Sequence, residues 1–225
     1  MVKRCGFLKK FDPKKWKQQL YFEKVKEKHR ILLDSFETYQ RDLKDFLLED
    51  ALRSQELYIS NTFLFFDRSE YTKYKLKSSN EFHSELRLLG YVSILNDSIR
   101  LDEDLKEEFG KIGIEYKSLP ALKIGRLCVN NIFLGRGIGS SILTWAVHRA
   151  AFLNQNVACR FITLDAKRHQ DNTKDSFHFY KRYGFKILKK RKDISDDELI
   201  RQKKGSIPMY FDLYHLLNEF NKVGK

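Results

Sequence analysis

The sequence predicts an α/β (α+β) fold, a mixed central sheet of about six to seven strands flanked by helices. Three observations predict it. Strand-like and helix-like patterns alternate through the second half of the chain. Ala121 to Val129 is a largely apolar run of the kind found in a buried central strand. It leads into Val129-Asn130-Asn131-Ile132-Phe133-Leu134-Gly135-Arg136-Gly137-Ile138-Gly139-Ser140, where glycines at alternate positions mark a turn from strand to helix.

The elements follow in order. Residues 1–20 are basic with scattered aromatics and read as an N-terminal extension, and residues 21–225 as a single domain. Residues 21–33 hold a first strand ending in Ile31-Leu32-Leu33. From Phe36 to Leu57, Leu43, Phe46, Leu47, Ala51 and Leu52 recur mostly at helical steps. Tyr58 to Phe66 is rich in β-formers, and residues 68–87 are polar enough for a long hairpin loop. Leu88 to Leu95 is the next strand, closed by Asn96-Asp97. Asp102 to Phe109 reads as a short helix with Gly110 as its stop. After the central strand, Gly137 to Leu153 places Ile138, Ile142, Ala146, Ala150 and Leu153 on one helix face. Val157 to Leu164 is a strand, and Asp175 to Tyr183 is a helix stopped by Gly184. Phe185 to Leu188 and Met209 to Leu213 are short strands.

Composition narrows the class. The 225 residues are 42% hydrophobic, enough for a sizeable core, and 18 Phe with 11 Tyr argue against disorder. No apolar run is long enough to span a bilayer, so no membrane role is expected. Lys3, Arg4, Lys9, Lys10, Lys14, Lys15 and Lys17 open the chain without an apolar h-region, unlike a secretion signal. Cys5, Cys128 and Cys159 form no CxxC or Cys/His spacing, so neither a disulfide framework nor a metal site is expected. The reading is a cytoplasmic, reduced protein. Its net charge of +13 suits a polyanionic partner or serves solubility.

Glycines let the backbone approach a bulky ligand, and a helix N-terminus offers unpaired N–H groups to phosphate. The stretch at 135–139 is therefore a candidate pyrophosphate cradle. A dinucleotide site would place its glycine turn after the first strand, although Asp165 does end the following strand here. No Gly-Lys-Ser/Thr is present, against an ATP-type loop.

A second motif, Phe179-Tyr180-Lys181-Arg182-Tyr183-Gly184-Phe185, lies one strand and one helix downstream. With it the sequence resembles the GNAT superfamily of N-acetyltransferases. In that family a strand leads into a Gln/Arg-x-x-Gly-x-Gly/Ala loop, and a later Phe-Tyr-x-x-x-Gly-Phe precedes the sixth strand. Gly125-Arg126-Leu127-Cys128-Val129 matches the strand, and Gly135 to Gly139 the loop. The likeness spans roughly residues 25–215 and leans towards GNAT-type toxins of toxin–antitoxin pairs. Its further marks are Asp45-Phe46-Leu47, Glu49-Asp50-Ala51, Leu89 to Ile94 and Leu119 to Leu127.

The resemblance implies acetyl-CoA as co-substrate. Leu127, Cys128 and Val129 would pair with the pantetheine amides, and Leu134, Gly135, Arg136, Gly137, Ile138, Gly139 and Ser140 would hold the pyrophosphate. Leu134 stands where the family usually has Gln or Arg, so this cap falls to backbone and to Arg136. Lys167 and Arg168 add basic residues near the expected cofactor face. Tyr180 takes the family's general-acid position. A phenol suits a leaving thiolate, because the two pKa values lie within about two units. Glu115, Asp165 and His178 are candidate bases by residue type alone, and His178 reads as solvent-facing or structural.

The toxin branch acetylates the amino acid on charged tRNA. Lys189, Lys190, Arg191 and Lys192, flanked by Lys186 and by Arg201, Lys203 and Lys204, could contact its phosphates, or form a charged strand edge. The branch also implies an antitoxin protein as partner and a homodimer. Two other readings stay open: an acetyltransferase for a protein or small-molecule amine, and a non-enzymatic nucleic-acid-binding protein.

Overall fold

The computed structural model describes residues 20–76, 86–171, 174–188, 195–201 and 204–223. Most of the expected N-terminal extension lies outside them. The strands are β1 (Leu20–Lys24), β2 (Asn61–Asp67), β3 (Leu88–Arg100), β4 (Ser118–Val129), β5 (Phe161–Lys167), β6 (Lys186–Ile187) and β7 (Ser206–Asp212). They form a seven-stranded mixed sheet in the order β1-β2-β3-β4-β5-β7-β6, as the sequence led us to expect. Contacts divide the chain into two units. One takes in the chain up to Leu95 with Ile124–Arg149, the other Asn96–Lys123 with Ala150 onward.

In the first unit β1 pairs antiparallel with β2, Leu20 opposite Asp67, and β2 with β3, Phe63 opposite Val92. Helices α1 (Arg30–Asp34), α2 (Arg41–Asp45) and α3 (Ala51–Glu56) cover one face, with a π-helical turn at Phe46–Asp50 between the last two. Leu32, Leu33, Phe36, Leu47 and Ala51 pack there against Leu64, Phe66, Tyr91 and Cys128. Trp145, from α6 (Ile138–Leu153), packs edge-on or tilted against the rings of Phe22, Phe63 and Phe65. Ile31-Leu32-Leu33 is therefore helical, not the strand expected. Ile31 is exposed while Leu32, Leu33 and Phe36 are buried, a helical rather than alternating pattern. The expected hairpin loop also begins as a helix, α4 (Arg68–Leu76). The Asp67 carboxylate accepts the N–H of Ser69 at 2.8 Å and of Glu70 at 3.1 Å, capping its first turn.

A buried polar cluster ties α4 to β1. The Tyr71 hydroxyl donates to Glu23 Oε1 at 2.7 Å, and His29 Nε2 lies 2.8 Å from the same oxygen. The Lys26 N–H donates to His29 Nδ1 at 3.0 Å, so Nε2 carries the proton and the ring is neutral. Burial holds His29 below its usual 6.5, against the pull of Glu23. Burial works to raise Glu23, but the Tyr71 hydroxyl, His29 and Lys28 outweigh it and leave the carboxyl below 4.5. As pH falls, the unfolded chain takes up a proton on His29 before the folded one does. Stability is therefore full above about pH 6.5 and declines below it, with Glu23 adding a further loss at lower pH. Melting temperature measured against pH should show that decline in the wild type, and the step nearest pH 6 should vanish in His29→Gln.

The turn after α3 presents a different kind of strain. Tyr58 has φ +58° and is 96% exposed, flanked by exposed Leu57 and Ile59. The Tyr58 N–H donates to Gln55 O at 3.1 Å and the Ile59 N–H to Ser54 O at 2.8 Å, a left-handed helix stop that normally favours glycine. Tyr58→Gly is expected to stabilise the protein by about 1 kcal/mol, raising Tm by about 2–4 °C in a scanning melt.

In the second unit β5 pairs antiparallel with β7 from Phe161–Asp212 to Lys167–Ser206, and β6 with β7. Helix α5 (Glu103–Gly110), capped by the Asp102 carboxylate, sets Leu105 and Phe109 against Ile99, Leu101, Phe161 and Tyr210. That core explains why β3 runs past Asn96-Asp97, where the sequence suggested it closes. The Asp97 carboxylate accepts the Thr163 hydroxyl, and the strand goes on to bury Ile99. Helices α7 (Ser176–Arg182), α8 (Asp196–Arg201) and α9 (Tyr214–Val223) complete the unit. The first of these was expected; the other two were not.

Candidate functional site

The cradle residues belong to the first unit. The β4 strand ends at Val129, and Asn130 locks the turn that follows. Its N–H donates to Leu89 O at 2.9 Å, its Nδ2 to Leu88 O at 3.2 Å, and its Oδ1 accepts the Ile132 N–H at 3.3 Å. A 3-10 turn at Asn131–Phe133 then feeds the glycines. Gly135 and Gly137 have φ of +76° and +79°, and nothing lies within 4 Å of where a Cβ would stand. These positions need glycine for their backbone and leave the loop's surface open to a ligand. The amides of Ile138, Gly139 and Ser140 open α6 without intrahelical acceptors. Arg136 is exposed, its guanidinium 5.5 Å from the Phe133 ring centroid. Leu134 is also exposed.

Along β4, Cys128 faces the core while Leu127 and Val129 are partly buried. Its thiol donates to Thr38 Oγ1 at 3.3 Å, and burial pushes it up to about 11. Thr38 and Asn131 take part in this surrounding structure but were not singled out in the sequence. Their only legible signal was the Asn-Asn pair between a strand and a glycine loop, a turn-forming combination.

The Tyr180 region belongs to the second unit. Asp175 caps α7, its Oδ1 accepting the Phe177 N–H at 3.0 Å. Tyr180, one turn on, is 7% exposed and sits against Phe179 and Phe185, at ring distances of 5.1 and 5.6 Å. The helix stops where the Phe185 N–H returns to Tyr180 O at 3.2 Å, across Gly184 with φ +90°. His178 is exposed, as expected.

Arg168 corrects an expectation. It is a buried fastener, not a residue offered to a cofactor. Its Nε meets Asp175 Oδ2 at 2.9 Å with both side chains fully buried. Its other nitrogens donate to the carbonyls of Leu199 at 3.3 Å and Ile200 at 2.9 Å, in the last turn of α8. An ion pair seven residues apart thus joins the end of β5 to two helices.

Of the candidate bases, Glu115 is exposed, and Asp165 pairs with Lys123 at 2.8 Å. Asp165 lines a cleft of about 920 Å³ in the second unit, with Asp97, Lys123, Thr163, Leu188 and Met209. The basic run Lys189, Lys190, Arg191 and Lys192 lies outside the described residues, as does Lys203. Lys186, Arg201 and Lys204 are described and exposed. Among the described residues, no group of His, Cys, Asp or Glu could hold a metal, and no helix is long and apolar enough to cross a membrane.

Residues 96–187, which contain both the glycine loop and Tyr180, match the family model described as acetyltransferase (GNAT) domain. Over that stretch the chain is similar to a GNAT acetyltransferase domain. It is the fold of an N-acetyltransferase, with acetyl-CoA as acetyl donor. Solved structures agree over nearly the whole length. A KacT point mutant aligns with TM-score 0.63 at 17% identity, covering 92% of this chain and 99% of that one. AtaT complexed with acetyl-methionyl-tRNAfMet aligns with TM-score 0.62 at 18% identity, covering 89% and 99%. AtaTR bound with AcCoA aligns with TM-score 0.63 at 17% identity, covering 90% and 98%. The GNAT fold is thus shared with proteins of toxin–antitoxin systems. No curated protein matches the sequence.

Proposed function

We propose that this chain transfers the acetyl group of acetyl-CoA to the α-amine of an aminoacyl-tRNA, as a toxin held in check by an antitoxin protein. The observation that carries the reading is the fold shared over about nine-tenths of the chain with AtaT, a protein seen with acetyl-methionyl-tRNAfMet. The net charge of +13 supports it, since a polyanionic acceptor is drawn to a basic surface. KacTA is seen with DNA, and an AtaT mutant with the C-terminus of the antitoxin AtaR, which support the antitoxin part. Action in the cytoplasm and a homodimeric state belong to the same reading.

In this reading the main-chain groups of Leu127, Cys128 and Val129 pair with the pantetheine amides. The amides of Gly135 to Ser140 take the pyrophosphate, with Arg136 adding charge beside the exposed Leu134. The α-amine attacks the thioester carbonyl carbon. The C–N bond forms, the C–S bond breaks, the thiolate takes its proton from the Tyr180 hydroxyl, and the proton shed by the acylated nitrogen passes to water, from which Tyr180 is reprotonated. An aminoacyl ester lowers the basicity of its α-amine, which reduces the need for a dedicated base.

The test is incubation with labelled acetyl-CoA and either total charged tRNA or a protein lysate. Label is expected on the aminoacyl group of tRNA. Label confined to protein or to a small amine would support the second acetyltransferase reading instead. Absence of both transfer and an acetyl-CoA-induced rise in Tm would overturn the enzyme reading.

A further inference from the structure

The segment between α1 and α2 belongs to no helix or strand, yet it is fixed to the cradle's root. The Asn131 N–H donates to Glu37 O at 2.9 Å, and Asn131 Oδ1 accepts the Tyr39 N–H at 3.3 Å. One asparagine therefore satisfies a carbonyl and an amide two residues apart, as a neighbouring strand would. Thr38, between them, accepts the Cys128 thiol at 3.3 Å and the Gln40 N–H at 3.2 Å. Residues 37–40 are thus held to β4 and to the turn after it, between the run assigned to the pantetheine arm and the loop assigned to the pyrophosphate. Below them Phe36 is fully buried, and beyond them the Tyr91 hydroxyl donates to Leu43 O at 2.7 Å. The segment is anchored at both ends, and Asn131 and Cys128 hold its middle.

We propose that Asn131 is a positioning residue that carries occupancy of the acetyl-CoA site to residues 37–40, making them a strap that tightens alongside the pantetheine arm. This rests on the cofactor assignment above. A ligand that orders the loop at 134–140 also orders Asn131 at its base, and Asn131 in turn orders the Tyr39 amide it accepts. The strap then limits the access of water to the thioester until an amine arrives.

Hydrogen exchange with and without saturating CoA, on the full chain, tests this. In the wild type, peptides covering 134–140 and 37–40 should both slow, the latter by about tenfold. In Asn131→Ala, which keeps the main-chain bond to Glu37 O but loses the Oδ1 acceptor, 134–140 should slow as in the wild type and 37–40 far less. Asn131→Asp keeps an acceptor oxygen at the same place and should restore slowing at 37–40, a pattern that a merely structural role would not give. If CoA slows 134–140 but not 37–40 in the wild type, the cofactor assignment stands and the strap is wrong. If CoA slows neither, the assignment fails and the strap falls with it. Equal slowing of 37–40 in Asn131→Ala also overturns the proposal.

Discussion

Tyr180→Phe is expected to lower kcat by about 10²–10⁴-fold while leaving acetyl-CoA binding intact. The substitution removes one oxygen. The ring keeps its contacts with Phe179 and Phe185, and the α7 backbone that stops at Gly184 is unaffected. On the proposed mechanism what is lost is the proton donor for the leaving thiolate, so the expelled CoA must find its proton in water. Two measurements separate this from a folding defect. The acetyl-CoA-induced rise in Tm should match the wild type, and CoA release with charged tRNA as acceptor should nearly cease. A variant retaining more than about a tenth of wild-type kcat would place the acid elsewhere.

The largest stability effect should come from Arg168→Met. Removing the guanidinium leaves the Asp175 carboxylate buried without its counter-charge and strands the carbonyls of Leu199 and Ile200. Breaking a buried pair in this way costs about 3–5 kcal/mol. For a chain of this size that is a Tm drop of roughly 6–20 °C. Asp175→Asn should cost a similar amount: its amide oxygen can still accept the Phe177 N–H and cap α7, but its NH2 then faces the buried Arg168 guanidinium, which loses its counter-charge. Because α7 carries Tyr180, Arg168→Met should also depress kcat below the melting transition, an effect visible at low temperature. If both variants melt like the wild type, the pair does not hold the two helices.

The legible parts of this chain were those written in neighbouring residues. The glycine loop and the Phe179 to Phe185 motif each lie within one strand-to-helix or helix-to-strand passage, so spacing alone exposes them. The face of α6 was readable for the same reason. Helix α4 was missed because its polar composition outweighed a local signal, Asp67 followed three residues later by Glu70, which is a helix-start pattern. Ile31-Leu32-Leu33 is too short for periodicity to separate strand from helix. Other features depend on distant partners. Tyr39 and Asn131 are 92 positions apart, and nothing in either one's surroundings announces the other. Arg168 read as one more surface cation because the carboxylate that buries it is revealed only by the fold.

The cradle strand has one further property. Cys128 sits among the residues assigned to the acetyl donor, and burial pushes its thiol up to about 11. At neutral pH the thiolate that peroxide or an alkylating agent attacks is therefore scarce. Cys159, also buried and pushed up to about 11, is equally unreactive. Both buried thiols are thus poorly placed to react with oxidants in the folded protein.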